Sequence, residues 1–311
     1  MNLALSSALL GLIWFAITNL TATLLACLLV RTTASRQLSA GGLLALRLMP
    51  ATLSTLFVAT LFLPAHILFE PAESEESLGL TLGAVAALAV LLLLRSLFRV
   101  ASVLRADFEL FALMRRVARP HGTAFEVRGL AGVSLAGIVR PRILIGSSAL
   151  AALTPAELEV AISHEHAHRR SLDNVKRFAI CCAPDVLGLL PIARRLERRW
   201  EAETECQADA WAVGGDTSRA VALASALVKV ARLPRAAAIQ PSPSWSNFHV
   251  PALLEMRVRR LIDGPSHVPR RHTAWWGAIV LAVAALPAAA WAFDLPYAIH
   301  VATETLVTHL P

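Results

Sequence analysis

Residues 1–30 carry no charged side chain, and residues 48–69, 77–94 and 273–293 are likewise free of Asp, Glu, Lys and Arg. About 20 apolar residues in a helix cross roughly 30 Å of hydrocarbon. Each run is therefore long enough, or nearly so, to span a bilayer. The fourth run opens with Trp275-Trp276 and closes with Trp291, the interfacial aromatic pattern of a span. Met1-Asn2-Leu3 offers no basic segment, so the first run reads as a span and not as a signal peptide. With 56% hydrophobic and 16% charged residues, the 311-residue chain is too apolar for one soluble core. That composition excludes a disordered chain, a coiled coil and a disulfide-rich module.

Charge in the connections sets an orientation. Arg31, Arg36 and Arg47 separate the first two runs, and Glu70, Glu73, Glu75 and Glu76 separate the second and third. After the third come Arg95, Arg99, Arg105, Arg115, Arg116 and Arg119. Before the fourth come Arg257, Arg259, Arg260, Arg270 and Arg271. Basic residues stay on the cytoplasmic side. The expected topology has residues 31–47 and 95–272 inside, residues 64–77 outside, and both termini outside, as in a bacterial-type inner (cell) membrane. The formal charge of +7 is explained by this asymmetry, so direct nucleic-acid binding is not expected. Cys27, Cys181, Cys182 and Cys206 form no CxxC pair and suggest neither a disulfide framework nor a cysteine zinc site.

Within the cytoplasmic stretch, Leu110, Leu113, Met114 and Val117 predict a helix over 104–119, stopped at Pro120-His121-Gly122. Phe125–Val127, Val133–Val139 and Ile143–Ile145 read as short strands between glycines and Pro141. Residues 178–193 are apolar but short, with Pro184, Asp185 and Pro191. They read as a buried helix or a membrane-facing hairpin. Thr154-Pro155-Ala156-Glu157 is a capping box with proline at the first helical position.

The helix it opens contains His164-Glu165-His166-Ala167-His168, an H-E-x-x-H motif. Residues four apart share a helix face, so His164 and His168 can chelate one zinc ion. Glu165 beside the first histidine can move the proton of a water activated there. His166 projects about 200° away from His164. A third ligand has to come from elsewhere. Glu201, Glu205 and Asp209 recur every four residues in a helical stretch, 196–213, stopped by Gly214-Gly215. Glu205 as ligand with Asp209 holding a ligand imidazole fits best, and Glu201 is the alternative.

These residues resemble the BlaR/MecR-type membrane zinc metallopeptidases, the antirepressor peptidases, which are related to HtpX-type and CAAX-processing enzymes. The likeness runs from about Val133 to Asp209. It comprises Gly137 to Ile145, Leu153-Thr154-Pro155-Ala156-Glu157-Leu158, the HExxH, Arg169-Arg170 with Asp173, and Glu205-Cys206-Gln207-Ala208-Asp209. The resemblance implies His164, His168 and Glu205 as ligands of one Zn2+ and Glu165 as general base. It implies Asp209 and Asp173 as carboxylates supporting the ligands. His249-Val250-Pro251, followed by Arg257, is similar to a late segment of the HtpX branch. That makes His249 and Arg257 candidate donors to the tetrahedral oxyanion. Tyr297, the only tyrosine, falls outside by the topology. Only Asp294 to Pro311 follow the fourth span, so the extracellular penicillin-binding domain of BlaR/MecR sensors is not expected.

The resulting expectation is a mainly α protein with four transmembrane helices and a cytoplasmic α+β zincin-like metallopeptidase domain with a small sheet. Residues 1–100 form a three-helix membrane region with an acidic outer loop, 101–272 the peptidase domain, and 273–311 the fourth helix and a short outer tail. The expected activity is zinc-dependent endopeptidase cleavage near the bilayer, in signalling or regulated proteolysis, on a protein or peptide such as a transcriptional repressor. Substrate would lie along an edge strand near Ile138 to Ile145. The alternatives are an HtpX-like quality-control protease and a non-catalytic membrane signalling protein with a vestigial metal site.

Overall fold

The computed structural model describes residues 3–32, 38–69, 79–234, 246–247, 253–264, 290–292 and 294–309. Its first helices are α1 (Leu3–Arg31), α2 (Ala40–Phe57), α3 (Leu63–Phe69) and α4 (Leu80–Val117), with a π-helical turn, Val58–Phe62, joining α2 to α3. Three helical paths are long and apolar enough to cross a membrane: 5–31, 40–69 and 80–117. The fourth run lies outside the described residues except for 290–292, which are helical, and so does the acidic loop.

Two helices were expected over 77–119, and one continuous helix of 38 residues is found. Residues 95–103 contain no glycine or proline, so nothing interrupts the backbone hydrogen bonds. At 1.5 Å per residue α4 is about 57 Å long, nearly twice the hydrocarbon thickness. Its lower half is part of the globular portion, where Leu110 and Met114 are buried.

There the chain forms β1 (Arg119–His121), β2 (Ala124–Val127), β3 (Val133–Ala136), β4 (Arg142–Gly146) and the two-residue β5 (Ser246–Asn247), in the order β1-β2-β4-β3-β5. β2 runs parallel to β4, and the other pairs are antiparallel. Alternation along β4 assigns its faces. Ile143 and Ile145 join a core with α5 (Ser147–Ala152), α6 (Pro155–Ser171) and α9 (Thr217–Arg232), while Leu144 packs with Leu110 and Met114 of α4. Gly146 is needed here, because a Cβ would lie 1.9 Å from the Leu130 carbonyl oxygen. β4 is thus internal. The edge strand expected near Ile138 to Ile145 is therefore not β4, and β3 on its other side pairs outward with β5 at Ser134 and Leu135 among the described residues.

The apolar stretch 178–193 ends α7 (Asp173–Cys182), turns through 187–189 and starts α8 (Pro191–Val213). It forms the joint between membrane helices and the globular portion. Ile180, Leu187, Leu196 and Trp200 pack with Ala26, Leu43 and Leu46. Asn19 donates to Ser54 Oγ (3.1 Å) and the Pro184 carbonyl (3.1 Å), and accepts from the Val186 amide (3.0 Å). Arg47 pairs with buried Asp185 (2.9 Å) and with Glu197 (2.7 Å).

The tail beyond the fourth run is not a simple appendage. Leu295–His309 forms α11, following α10 (Leu254–Ile262) in order among the described helices. Ile299 is buried with Leu10, Ile13, Phe62 and Leu82, and Trp14 Nε1 donates to Thr303 Oγ1 (3.0 Å). Apolar residues at 299, 306 and 307 give this short helix a packing face that its position in the chain did not announce.

Candidate metal centre

α6 starts as its sequence requires. The Thr154 hydroxyl accepts from the Glu157 amide, and the Glu157 carboxylate accepts from the Thr154 amide (2.8 Å). Glu157 also receives Lys229 Nζ (2.8 Å) and the Ser225 hydroxyl (2.6 Å), which ties the first turn to α9. From that anchor the helix buries one face, and His164, Glu165 and His168 are each fully buried on it.

Three side chains converge there. His164 Nε2 and His168 Nε2 lie 3.0 Å apart. Glu205, from α8, places one carboxylate oxygen 3.4 Å from His164 Nε2 and the other 3.5 Å from His168 Nε2. Ligands at 2.0–2.1 Å in a tetrahedron are separated by about 3.3 Å. The observed distances lie near that spacing, although the two His–Glu contacts end on different oxygens of Glu205, and this buried trio could hold a metal ion.

The outer ring nitrogens are held by carboxylates. His168 Nδ1 is 2.8 Å from Asp173 Oδ2, and His164 Nδ1 is 2.9 Å from Asp209 Oδ1. Both imidazoles are thereby fixed with Nε2 turned inward, as in carboxylate–histidine pairs around metals. Asp173 reaches back because α6 ends at Leu172, which has φ 57°, a left-handed conformation that L residues adopt at a cost of about 1–2 kcal/mol. Lys176 Nζ caps the second oxygen of Asp173 (2.8 Å).

Arg257 of α10 is the residue whose role differs most from expectation. It is 1% exposed. Its Nε and Nη2 donate to the two oxygens of Asp209 (2.8 and 2.6 Å), and Nη1 lies 2.9 Å from Glu205. Its nitrogens thus clamp the ligand helix through two carboxylates, while Nη2 also lies 3.5 Å from His164 Nε2, on the side where the trio converges. The other candidate donor, His249, lies outside the described residues.

Electrostatics follow from this packing. Burial raises the Glu165 carboxyl above the usual range, and neither of its oxygens has a hydrogen-bond partner among the described residues. Burial would do the same to Glu205 and Asp209, but Arg257 and the imidazoles hold both below the ordinary value. His168 is likewise disfavoured as a cation by burial. Glu205 and Asp173 overcome that and push it up to about 10. A site with this many acids around two histidines suits a divalent cation.

Glu201, the alternative third ligand, is one turn away and lies 3.6 Å from Arg177. His166 is not in the trio. Sequence reasoning missed Asn174, whose amide donates to the carbonyls of Leu135 (3.1 Å) and Gly137 (2.8 Å) and so ties the end of β3 to the helix that carries Asp173. It also missed Arg177, 3.7 Å from Glu205. Neither falls in a recognisable motif. The chain matches no protein-family model and no curated protein.

Proposed function

We propose that this chain is a multi-pass membrane zinc endopeptidase whose zincin-like site faces the cytoplasm near the bilayer. The observation that carries this reading is the buried trio of His164, His168 and Glu205 with, beside it, a Glu165 carboxylate that has no hydrogen-bond partner among the described residues. A metal-holding trio alone suits storage or structure. A buried, unengaged carboxylate adjacent to it suits proton transfer.

Zinc, when bound by the trio, supplies a Lewis acid that acidifies water and polarises a carbonyl. Glu165 then takes a proton from the attacking water and delivers it to the leaving amine, which keeps the acid and base roles on one group. Its raised pKa favours this double use, since a base poised nearer neutrality both accepts and donates. Asp173 and Asp209 keep the ligand imidazoles in one tautomer and orientation. Arg257 holds Asp209 and Glu205 in place.

The substrate segment lies extended on the outer side of β3, where β5 pairs at Ser134 and Leu135 among the described residues. Recognition through main chain suits a protein substrate of loose sequence preference. The resemblance to antirepressor peptidases suggests a transcriptional repressor among the substrates. The cytoplasmic position rests on the clustering of arginines at the span ends.

The test is Glu165→Ala in the full-length protein, with zinc content and casein-type cleavage measured on the same sample. Zinc is expected to stay and cleavage to vanish. Retained cleavage removes Glu165 from its role. Zinc-loaded wild type that cleaves nothing supports the vestigial-site alternative.

A further inference from the structure

We propose that Arg95 and Arg99, at the foot of the third span, bind the headgroup phosphate of an anionic inner-leaflet phospholipid. Arg95 follows directly on the charge-free run 77–94, and Arg99 lies one helical turn further along α4. Both guanidinium groups therefore stand at headgroup level if that run spans the hydrocarbon. This inference rests on the membrane helices and is independent of the metal centre.

The local charges are unbalanced. Arg95 Nη1 is buried and has no hydrogen-bond partner among the described residues. Asp185 is the nearby acid, and other groups already donate to both of its oxygens. Arg47 Nη1 contacts both of its oxygens (3.2 and 2.9 Å), and the Gly188 amide donates to one of them (2.6 Å). Glu197 takes Arg47 Nε (2.7 Å). Arg99 donates to the Cys181 carbonyl (3.2 Å). Among the described residues neither Arg95 nor Arg99 forms a salt bridge. A buried guanidinium nitrogen without a partner is costly. A phosphate monoanion matches its planar fork, which presents parallel donors.

Adjoining residues identify a lipid as the source of that phosphate. Leu91 lies four residues before Arg95 and Phe98 three residues after it, so both flank it on the helix surface. They are 64% and 73% exposed, and Leu94 beside them is 57% exposed. This apolar strip faces outward at the same level and provides a bed for an acyl chain. A free phosphate or an acidic peptide would leave it uncovered. The negative inner leaflet supplies such lipids next to a basic site.

The site sits on the α4–α7 joint. The Ser96 hydroxyl donates to the Cys182 carbonyl, beside the Arg99–Cys181 contact. A bound headgroup would therefore brace the globular portion against the spans.

The experiment uses full-length protein in nanodiscs of phosphatidylcholine with or without phosphatidylglycerol of the same chains. Native mass spectrometry reads retained lipid, and thermal unfolding reads stabilisation. Wild type is expected to retain phosphatidylglycerol selectively, with the preference falling about fivefold for each arginine removed in Arg95→Gln and Arg99→Gln. Arg105→Gln, an exposed residue already paired with Glu109, should leave the preference unchanged. If Arg95→Gln fails to fold, Arg99→Gln decides, because Arg99 is exposed. Unchanged preference in Arg99→Gln overturns the proposal, as does an equal loss in Arg105→Gln. Inorganic phosphate that stabilises the phosphatidylcholine discs as well as phosphatidylglycerol does would overturn the lipid source.

Discussion

Arg257 grips Asp209 through two parallel hydrogen bonds, Nε to Oδ2 at 2.8 Å and Nη2 to Oδ1 at 2.6 Å. Asp209 in turn lies 2.9 Å from His164 Nδ1, so a guanidinium on α10 fixes an imidazole on α6 through a carboxylate on α8. Three helices are thereby locked around one point. Removing the arginine would leave two buried carboxylates without their cation.

Arg257→Lys is expected to keep the charge but lose the fork, since lysine offers a point charge. Metal affinity should fall, by roughly 10–100-fold as for other groups that orient metal ligands, and fall further in Arg257→Ala. Chelator competition measures this. Equal affinity in wild type and Arg257→Ala would show that Asp209 needs no clamp.

Asp173→Asn should weaken metal binding by a similar roughly 10–100-fold, because the amide cannot favour the same tautomer of His168. The same assay serves. Asn174→Ala, one residue on, is expected to spare affinity and instead loosen β3, since its amide donates to the carbonyls of Leu135 and Gly137. Hydrogen exchange across 133–138 reads that difference.

Much of this site is legible in the sequence. The capping box marked the start of α6, and the four-residue spacing put both histidines on one face. Glu201 and Glu205 share a helix face, however, so spacing could not choose between them. The packing of α8 on α6 does, bringing Glu205 to the histidines while Glu201 meets Arg177. Asp173 folds back only because Leu172 turns left-handed, and no glycine advertised that turn. Strand positions were readable from glycine and proline punctuation, whereas strand order was not. β2 pairs with β4 and skips β3, so the presumed edge became an interior strand. The pairing of Arg257 with Asp209 and Glu205 was not readable, because these partners are far away in sequence.

Stability should depend on pH through Glu157. Burial raises its pKa, but Lys229, Ser225 and the Thr154 amide more than reverse that and draw it down to about 2, from 4.5. The unfolded carboxylate therefore binds its proton first as pH falls. The stabilisation is complete above about 4.5 and is lost as pH drops through about 2. Its size is on the order of 2 kcal/mol, reduced by the partial exposure of Lys229. Glu157→Gln should flatten the thermal stability profile across that acid window. An unaltered slope would deny the linkage.

Asp185→Ala should destabilise the joint between membrane and globular portions by about 3–5 kcal/mol, because Arg47 would be left buried without its main partner. Replacing both with apolar residues, as in Arg47→Met with Asp185→Leu, should recover much of the loss. Thermal unfolding in detergent compares the single and double variants. A harmless single substitution would mean that the pair contributes nothing to docking.

Metal content of purified full-length protein tests the central claim most directly. One zinc per chain is predicted for wild type and for Glu201→Ala, with little or none in Glu205→Ala. Zinc retained in Glu205→Ala and lost in Glu201→Ala would contradict the assignment of the third ligand and the peptidase account built on it.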